Sequence, residues 1–209
     1  MAQVTSGFRA IFSDPSVYNL AQRMVGAERA RRILVRDYFS DMRGKRMLDI
    51  GCGTAEILHH LPEDMDYSGF DASEAYIGEA RHRFNARGSF RAELVREATL
   101  EDIGMFDLVL AFGLLHHLDD DEAAALFRLA AKALKPNGCL ITVDPVYTDV
   151  QSRLTHWVIS KDRGQNVRNA GQYASLAKAC FPEVREHVRD DLLYIPYTHL
   201  IMQCAANGT

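Results

Sequence analysis

Four cysteines, Cys52, Cys139, Cys180 and Cys204, are scattered along the chain, with no CxxC pair and no Cys/His cluster at metal-ligand spacing. That argues against both a zinc site and a disulfide framework; three of the four lie in apolar runs and read as small core residues. Long hydrophobic runs are missing too, since none approaches the ~20 apolar residues of a membrane span. The start, MAQVTSGFRAIFSD, lacks a secretory hydrophobic region. Nor is there a surplus of positive charge. Against 24 Lys and Arg stand 28 Asp and Glu, a formal net charge of −4, so no general attraction to nucleic acid or an anionic membrane is expected. Internal repeats and low-complexity blocks are absent. These absences predict a cytoplasmic protein in a reducing compartment, without a metal and with neither nucleic acid nor membrane as partner.

What is there is the material of one domain. A chain of 209 residues, 47% hydrophobic and 25% charged, can bury a full core without staples. Residues 16–41 have helical spacing, with Leu20, Met24, Ala27, Leu34 and Tyr38 inward and Gly26 a break that gives two helices. From RMLDIG onward strands and helices alternate. Thr54 is a candidate N-cap for a helix carrying Ile57, Leu58 and Leu61 and ended by Pro62; DYSGF is a second strand; Ser73 caps a further helix; SFRAELV is a third strand. MFDLVLAFG reads as a central strand buried on both faces. Asp119, Asp120 and Asp121 open a helix that Pro136-Asn137-Gly138 stops, CLITVDP is the fifth strand, and two more are expected around 183–188 and 197–204. The alternation predicts an α/β fold, a Rossmann-like doubly wound, mostly parallel seven-stranded sheet with helices on both faces. Such folds bind ligands beyond the carboxyl ends of their strands.

Chemistry is therefore sought directly after each strand. The first is followed by Asp49-Ile50-Gly51-Cys52-Gly53-Thr54-Ala55, where glycines permit tight turning and close approach of a ligand. The second is followed by Asp71, 20 residues beyond Gly51, the spacing at which an acid meets the hydroxyls of a ribose; alone it reads equally as a helix-capping Asp. Glycine loop and spaced acid together point to a nucleoside. Where a dinucleotide fingerprint carries a small third residue this chain has Glu56, which would repel a pyrophosphate. Asp49 adds a second negative charge, so an ammonium group suits the loop better than a phosphate.

MLDIGCGTAEIL, GFDAS and FDLVLAFGLLHHLDD resemble, in that order and spacing, the motifs of class I S-adenosylmethionine-dependent methyltransferases. The resemblance implies S-adenosylmethionine as cofactor and S-adenosylhomocysteine as product. It implies one domain over residues 1–209, with a helical lid at 1–44, a cofactor core at 45–145 and an acceptor-side insertion at 146–175. By the same resemblance Asp49, Gly51, Cys52, Gly53, Thr54 and Ala55 cradle the methionine part, Asp71 holds the ribose, and Ala72 and Ser73 flank the adenosine. Ala55 replaces the family's last glycine, a replacement that is harmless if the helix has already begun there. Glu93, or else Glu97, would meet the adenine amino group, and Phe112, Gly113 and Leu114 would line the sulfonium side. Tyr18 is either a lid residue or a core tyrosine. His116 and His117 are candidate general bases or plain loop hydrogen-bonders. Tyr147, Trp157, Arg163, Arg168, Tyr173, Tyr194 and His199 are acceptor-pocket candidates; the arginines could hold an anionic group or form surface ion pairs with Asp162. The expected reaction is in-line methyl transfer to O, N or C of a small molecule. A non-catalytic S-adenosylmethionine-binding protein and a nicotinamide-dependent oxidoreductase are the alternatives. Acceptor, methylated atom and oligomeric state stay open.

Overall fold

The computed structural model describes residues 24–39, 41–162 and 164–206. Among them helix α1 (Ala27–Tyr38) leads into strand β1 (Arg46–Ile50), a 3-10 turn (Glu56–His60), β2 (Asp66–Phe70), α2 (Glu74–Phe84), β3 (Ser89–Arg91), α3 (Glu97–Ile103) and β4 (Phe106–Phe112). There follow a 3-10 turn (Leu115–His117), α4 (Asp120–Ala133), β5 (Leu134–Tyr147), α5 (Arg153–Ser160), the short β6 (Arg168–Asn169), α6 (Ala170–Lys178), β7 (Glu183–Arg189) and β8 (His199–Ala205). The sheet order is β3-β2-β1-β4-β5-β8-β7, with β6 paired to β5 off this path. β1 to β5 run parallel, and β8 is antiparallel to both β5 and β7. The strand order reverses between β1 and β4, so the carboxyl ends at Ile50 and Phe112 open side by side.

β4 shows why the sheet is covered on both faces. Phe106, Val109 and Ala111 join one apolar cluster with Phe127 and Ala130 of α4 and Ala174 of α6. The intervening Leu108 and Leu110 join the opposite cluster with Leu34 of α1 and Ile77 of α2. The two edges differ in kind: β3 has only three residues, and β7 carries Glu183, Arg185, Glu186 and Arg189, charges that discourage pairing with another chain.

Local signals explain most boundaries. Ser73 accepts the Tyr76 N–H at the start of α2, Asp119 and Glu122 form a reciprocal capping box on α4, and Asn169 with Gln172 does the same on α6. Gly26 breaks the first helical region, in the left-handed conformation at φ 94°. Three expectations are corrected. α4 ends at Ala133, before Pro136, because Leu134 already pairs with Phe106. The third strand stops at Arg91, not Val95. And the segment after the glycine loop is a 3-10 turn begun by Ala55, not an α-helix capped by Thr54.

Candidate functional site

The loop after β1 is held from both sides. Gly51 and Cys52 donate their N–H groups to the Phe70 carbonyl at 2.7 and 3.0 Å, tying the turn to the end of β2. Gly51 and Gly53 have φ of 78° and 55°, and so does Ala55, at 56°. The expectation that Ala55 lies inside a helix is therefore wrong. Its left-handed backbone costs roughly 1–2 kcal/mol relative to a relaxed L-residue. The site carries that strain because the Ala55 methyl is buried in the α1 and α2 cluster and its carbonyl accepts from Leu58 N. Gly51 has a second reason to be glycine: a Cβ there would stand 3.3 Å from the Leu114 side chain, which comes from the end of β4.

Two carboxylates face this loop. Asp71, half-buried, accepts from Gly53 N at 3.0 Å and from Ser73 N at 2.8 Å, so the acid is fixed while each oxygen keeps lone-pair capacity for a ligand hydroxyl. Burial raises its pKa, and those two N–H groups pull against the rise. Asp49 is 3% exposed. Tyr67 donates to its Oδ2 at 2.7 Å, while Oδ1 is buried with no hydrogen-bond partner. Burial pushes its carboxyl up to about 7; the Tyr67 hydrogen bond works against this, and the charge of Asp71 adds to it. A buried orphan acceptor beside a glycine turn fits an ammonium group. The residues present thus fit a ligand with an ammonium group and ribose hydroxyls, as S-adenosylmethionine has. Glu56 does not bear on the choice as expected, because it is ion-paired with Arg83 through both oxygens. Its charge is balanced, and the repulsion argument against a pyrophosphate loses its force.

Around this cradle, Cys52 is half-buried with its Sγ against Gly69, buried Thr54 donates to Glu56 at 3.5 Å, and Ala72 is exposed beside half-buried Ser73. Glu93 pairs with Arg91 at 3.6 Å and Glu97 with Lys132 at 2.6 Å, both exposed. Glu97 is thereby placed on the α3–α4 surface, away from the cradle. Phe112 lies under the Arg31 guanidinium at 5.9 Å, and Gly113, at φ 68°, donates to the Val143 carbonyl at 2.7 Å. Tyr18 and Arg163 lie outside the described residues.

The histidines separate. His116 is 5% exposed, with Nδ1 2.8 Å from Asp144 Oδ1 and Nε2 3.5 Å from Asp162 Oδ1. Burial alone would lower its pKa, but the two carboxylates more than offset that and raise it to about 9. A protonated ring with both nitrogens facing carboxylates cannot take a proton from an acceptor, so the general-base expectation fails for His116. His117 is half-buried, its ring 4.1 Å from that of His116.

The acceptor candidates do not form one group. Arg168 is buried, its guanidinium donating to Asp120 Oδ1 at 2.8–2.9 Å and to the carbonyls of Leu115, Leu118 and Asn166 at 2.8–3.1 Å. It is a clamp on the chain's own loop, which corrects its assignment to an anionic acceptor. Tyr173 is fully buried against that guanidinium, in the α4 and α6 cluster. Tyr194 packs on Gly26 beside α1. His199 is buried at the start of β8, and burial lowers its pKa to about 4. Among the described candidates, Trp157 and Tyr194 are exposed, and half-buried Tyr147 is stacked on His156 with ring centroids 4.6 Å apart. Sequence reasoning missed Tyr67, Asp144 and Tyr197, and gave Asp162 to surface arginines where it faces His116 and Tyr197; a polar residue within an apolar strand was the signal available for Asp144.

The fold is an α/β domain whose strand order reverses between β1 and β4, the place where such sheets bind their ligands. Residues 48–140 match the family model described as a methyltransferase domain. The match spans a little under half of the chain and supports a class I S-adenosylmethionine-dependent methyltransferase domain there, with S-adenosylmethionine as the cofactor that the likeness implies. It is 26% identical over 159 residues to a carboxy-S-adenosyl-L-methionine synthase of Campylobacter concisus, covering 75% of this chain and 64% of that protein. It is 30% identical over 111 residues to a ubiquinone biosynthesis O-methyltransferase of Xanthomonas oryzae pv. oryzae, covering 50% and 46%. The chain thus spans less than two thirds of either relative. Human N-acetylserotonin methyltransferase, solved in complex with SAM, superposes with a TM-score of 0.67 at 16% identity, covering 97% of this chain and 59% of that one; at that identity the likeness is one of fold. Among the described residues no helix is long and apolar enough to cross a membrane.

Proposed function

We propose that the chain transfers the methyl group of S-adenosylmethionine, in line, to an O, N or C nucleophile of a small-molecule acceptor. The observation that carries this reading is the pair of acids at the ends of β1 and β2, with Asp49 Oδ1 buried and unpartnered and Asp71 fixed by Gly53 and Ser73. When bound, the cofactor supplies a methyl already activated by its sulfonium. The chain's own residues bind, orient and exclude water, effects worth up to ~7–11 kcal/mol in well-aligned reactions. Asp49 holds the amino end, Asp71 the ribose, and the Phe112–Leu114 backbone the side from which the acceptor comes. Tyr147 and Trp157 offer aromatic surface to that acceptor, and His117 is the candidate base if the acceptor arrives protonated.

Calorimetric titration with S-adenosylhomocysteine, with NAD in parallel, tests the cofactor. Saturable binding of S-adenosylhomocysteine alone supports the reading; binding of NAD alone removes it. A second reading rests on the Campylobacter concisus relative, whose match is the longer of the two relatives described. In that reading the methyl carbon of S-adenosylmethionine loses a proton and takes up CO2 released by a second substrate that decarboxylates, giving the carboxy derivative. A mass increase of the recovered cofactor would favour it, whereas conversion to S-adenosylhomocysteine with a methylated acceptor would favour methyl transfer.

A further inference from the structure

Asp162 lies in the insertion, just after α5, yet it reaches the loop that follows β4. Its Oδ1 is 3.5 Å from His116 Nε2, and its Oδ2 accepts the Tyr197 hydroxyl. On the other side of the same imidazole, Asp144 of β5 takes Nδ1 at 2.8 Å and the His116 backbone N–H at 3.1 Å. The ring is bracketed by carboxylates from two separate parts of the chain. Asn166 N donates to the His116 carbonyl at 2.9 Å. Gly164 lies so close that any Cβ there would overlap the His116 ring and carbonyl. The insertion is thereby moulded onto this one residue.

We propose that Asp162 and Tyr197, acting through the imidazole of His116, are positioning residues for the cofactor loop Gly113–His117, so that the acceptor-side insertion and the cofactor cradle close as one unit. The inference rests on the reading of that loop as the sulfonium side of the cofactor site. The path is short and made of contacts: Asp162 to His116, His116 back along three residues to Gly113, and Leu114 against Gly51 of the β1 loop. Arg168 straps the same loop at Leu115 and Leu118 from the far end of the insertion.

A buried ionic bridge is a poor device for stability alone, since apolar groups of equal volume often do as well. What it gives is direction. Both nitrogens are fixed, the rotamer is fixed with them, and the backbone N–H and carbonyl of His116 are each bonded. Three elements present other titratable or charged groups to this ring. Tyr197 and His199 come from the approach to β8, and Tyr173 and Arg168 from the β6–α6 corner. His117 lies beside it in the same turn. Burial holds His199 neutral, and Arg168 is bonded to Asp120 and three carbonyls. The carboxylates of Asp144 and Asp162 therefore set the charge of His116.

The test is the ring-nitrogen NMR titration of His116 from about pH 6 to about pH 10, with and without saturating S-adenosylhomocysteine. The free protein is expected to titrate near 9. Binding should raise that midpoint by about half a unit or more, which corresponds to about a threefold preference of the ligand for the protonated bridge, because linkage is reciprocal. Asp162→Asn and Tyr197→Phe should lower the midpoint and weaken S-adenosylhomocysteine about fivefold or more, in chains with native circular dichroism. Wild-type binding that leaves the midpoint unmoved overturns the inference alone, since a merely structural bridge would behave so. Failure of the wild type to bind S-adenosylhomocysteine overturns the cofactor reading and the inference together. Should Asp162→Asn not fold, Tyr197→Phe and the wild-type titration still decide the matter.

Discussion

Asp49 and Asp144 stand near the carboxyl ends of β1 and β5 of one sheet, both almost wholly buried and each with one oxygen lacking a hydrogen-bond partner, yet their other oxygens meet different groups. Asp144 is bonded to His116 through side chain and backbone. Asp49 has a single phenol on one oxygen and nothing on the other. Burial raises both carboxyls, but His116 pulls Asp144 back toward its ionised form, whereas Asp49 sits near 7. Asp144 thus has a titratable partner within the fold, whereas the proposed partner of Asp49 is the amino end of the cofactor. The β1 side of the site is a cradle of backbone turns with one acceptor left over. The β5 side is a network of side chains joining β4, β5, β8 and the insertion, in which Asp144 Oδ2 is likewise left without a partner.

Breaking the β5 side should cost most. Asp144→Ala leaves the His116 imidazolium without its nearer carboxylate in a buried setting, and about 3–5 kcal/mol of stability is expected to be lost in urea unfolding. Asp49→Asn, by contrast, should keep or raise stability at neutral pH, because it removes a buried charge, while weakening S-adenosylhomocysteine. If both variants lose stability alike, the distinction between the two acids collapses. Next in size, Asp71→Ala removes a charged acceptor from the ribose and frees the Gly53 and Ser73 N–H groups. Affinity for S-adenosylhomocysteine should fall about a hundredfold by calorimetry, about 2–3 kcal/mol; unchanged affinity removes Asp71 from the site.

Proton linkage gives the third and sharper comparison. Because the folded pKa of Asp49 is raised from 3.8 to about 7, the native state keeps a proton that the unfolded chain has released between those values. This acid's contribution to stability therefore falls as pH rises from about 4 to about 7 and is constant above. Ligand affinity runs the other way. An ammonium needs the ionised carboxylate, so S-adenosylhomocysteine should bind about tenfold more tightly at pH 8 than at pH 6, and Asp49→Asn should flatten that slope. His116 has the opposite stability window. Its folded pKa is raised from 6.5 to about 9, so its stabilisation is complete below about 6.5 and is lost as pH climbs through 9. The smallest effect is local: Ala55→Gly should stabilise the chain by up to about 1 kcal/mol by relieving the left-handed backbone, read as a raised urea midpoint.

Much of this was legible in the linear sequence because it is written locally. The strand, turn and helix spacing announced the parallel sheet, and GxG with an acid 20 residues on anticipated that Gly53 and Asp71 meet at the ends of β1 and β2. The double-sided burial of β4 followed from its unbroken apolar run. Ala55 was misread because an alanine carries no mark of its φ; only the tertiary packing of its methyl shows why a left-handed alanine is tolerated there. Glu56 was misread for a related reason, since its neutralising partner, Arg83, is 27 residues away on another element.

What the sequence determined by itself, then, is the fold class and the glycine turn with its strand-end acids, because periodicity, glycine and a strand-end acid act within a few residues of one another. The tertiary structure alone decided which side chains of the second half meet. Arg168, Tyr173 and His199 turned inward to the chain's own groups, and Asp144, Asp162 and Tyr197 converged on His116 from positions up to 81 residues away. Buried polar groups must find partners wherever the fold brings them, and that pairing is a property of three dimensions.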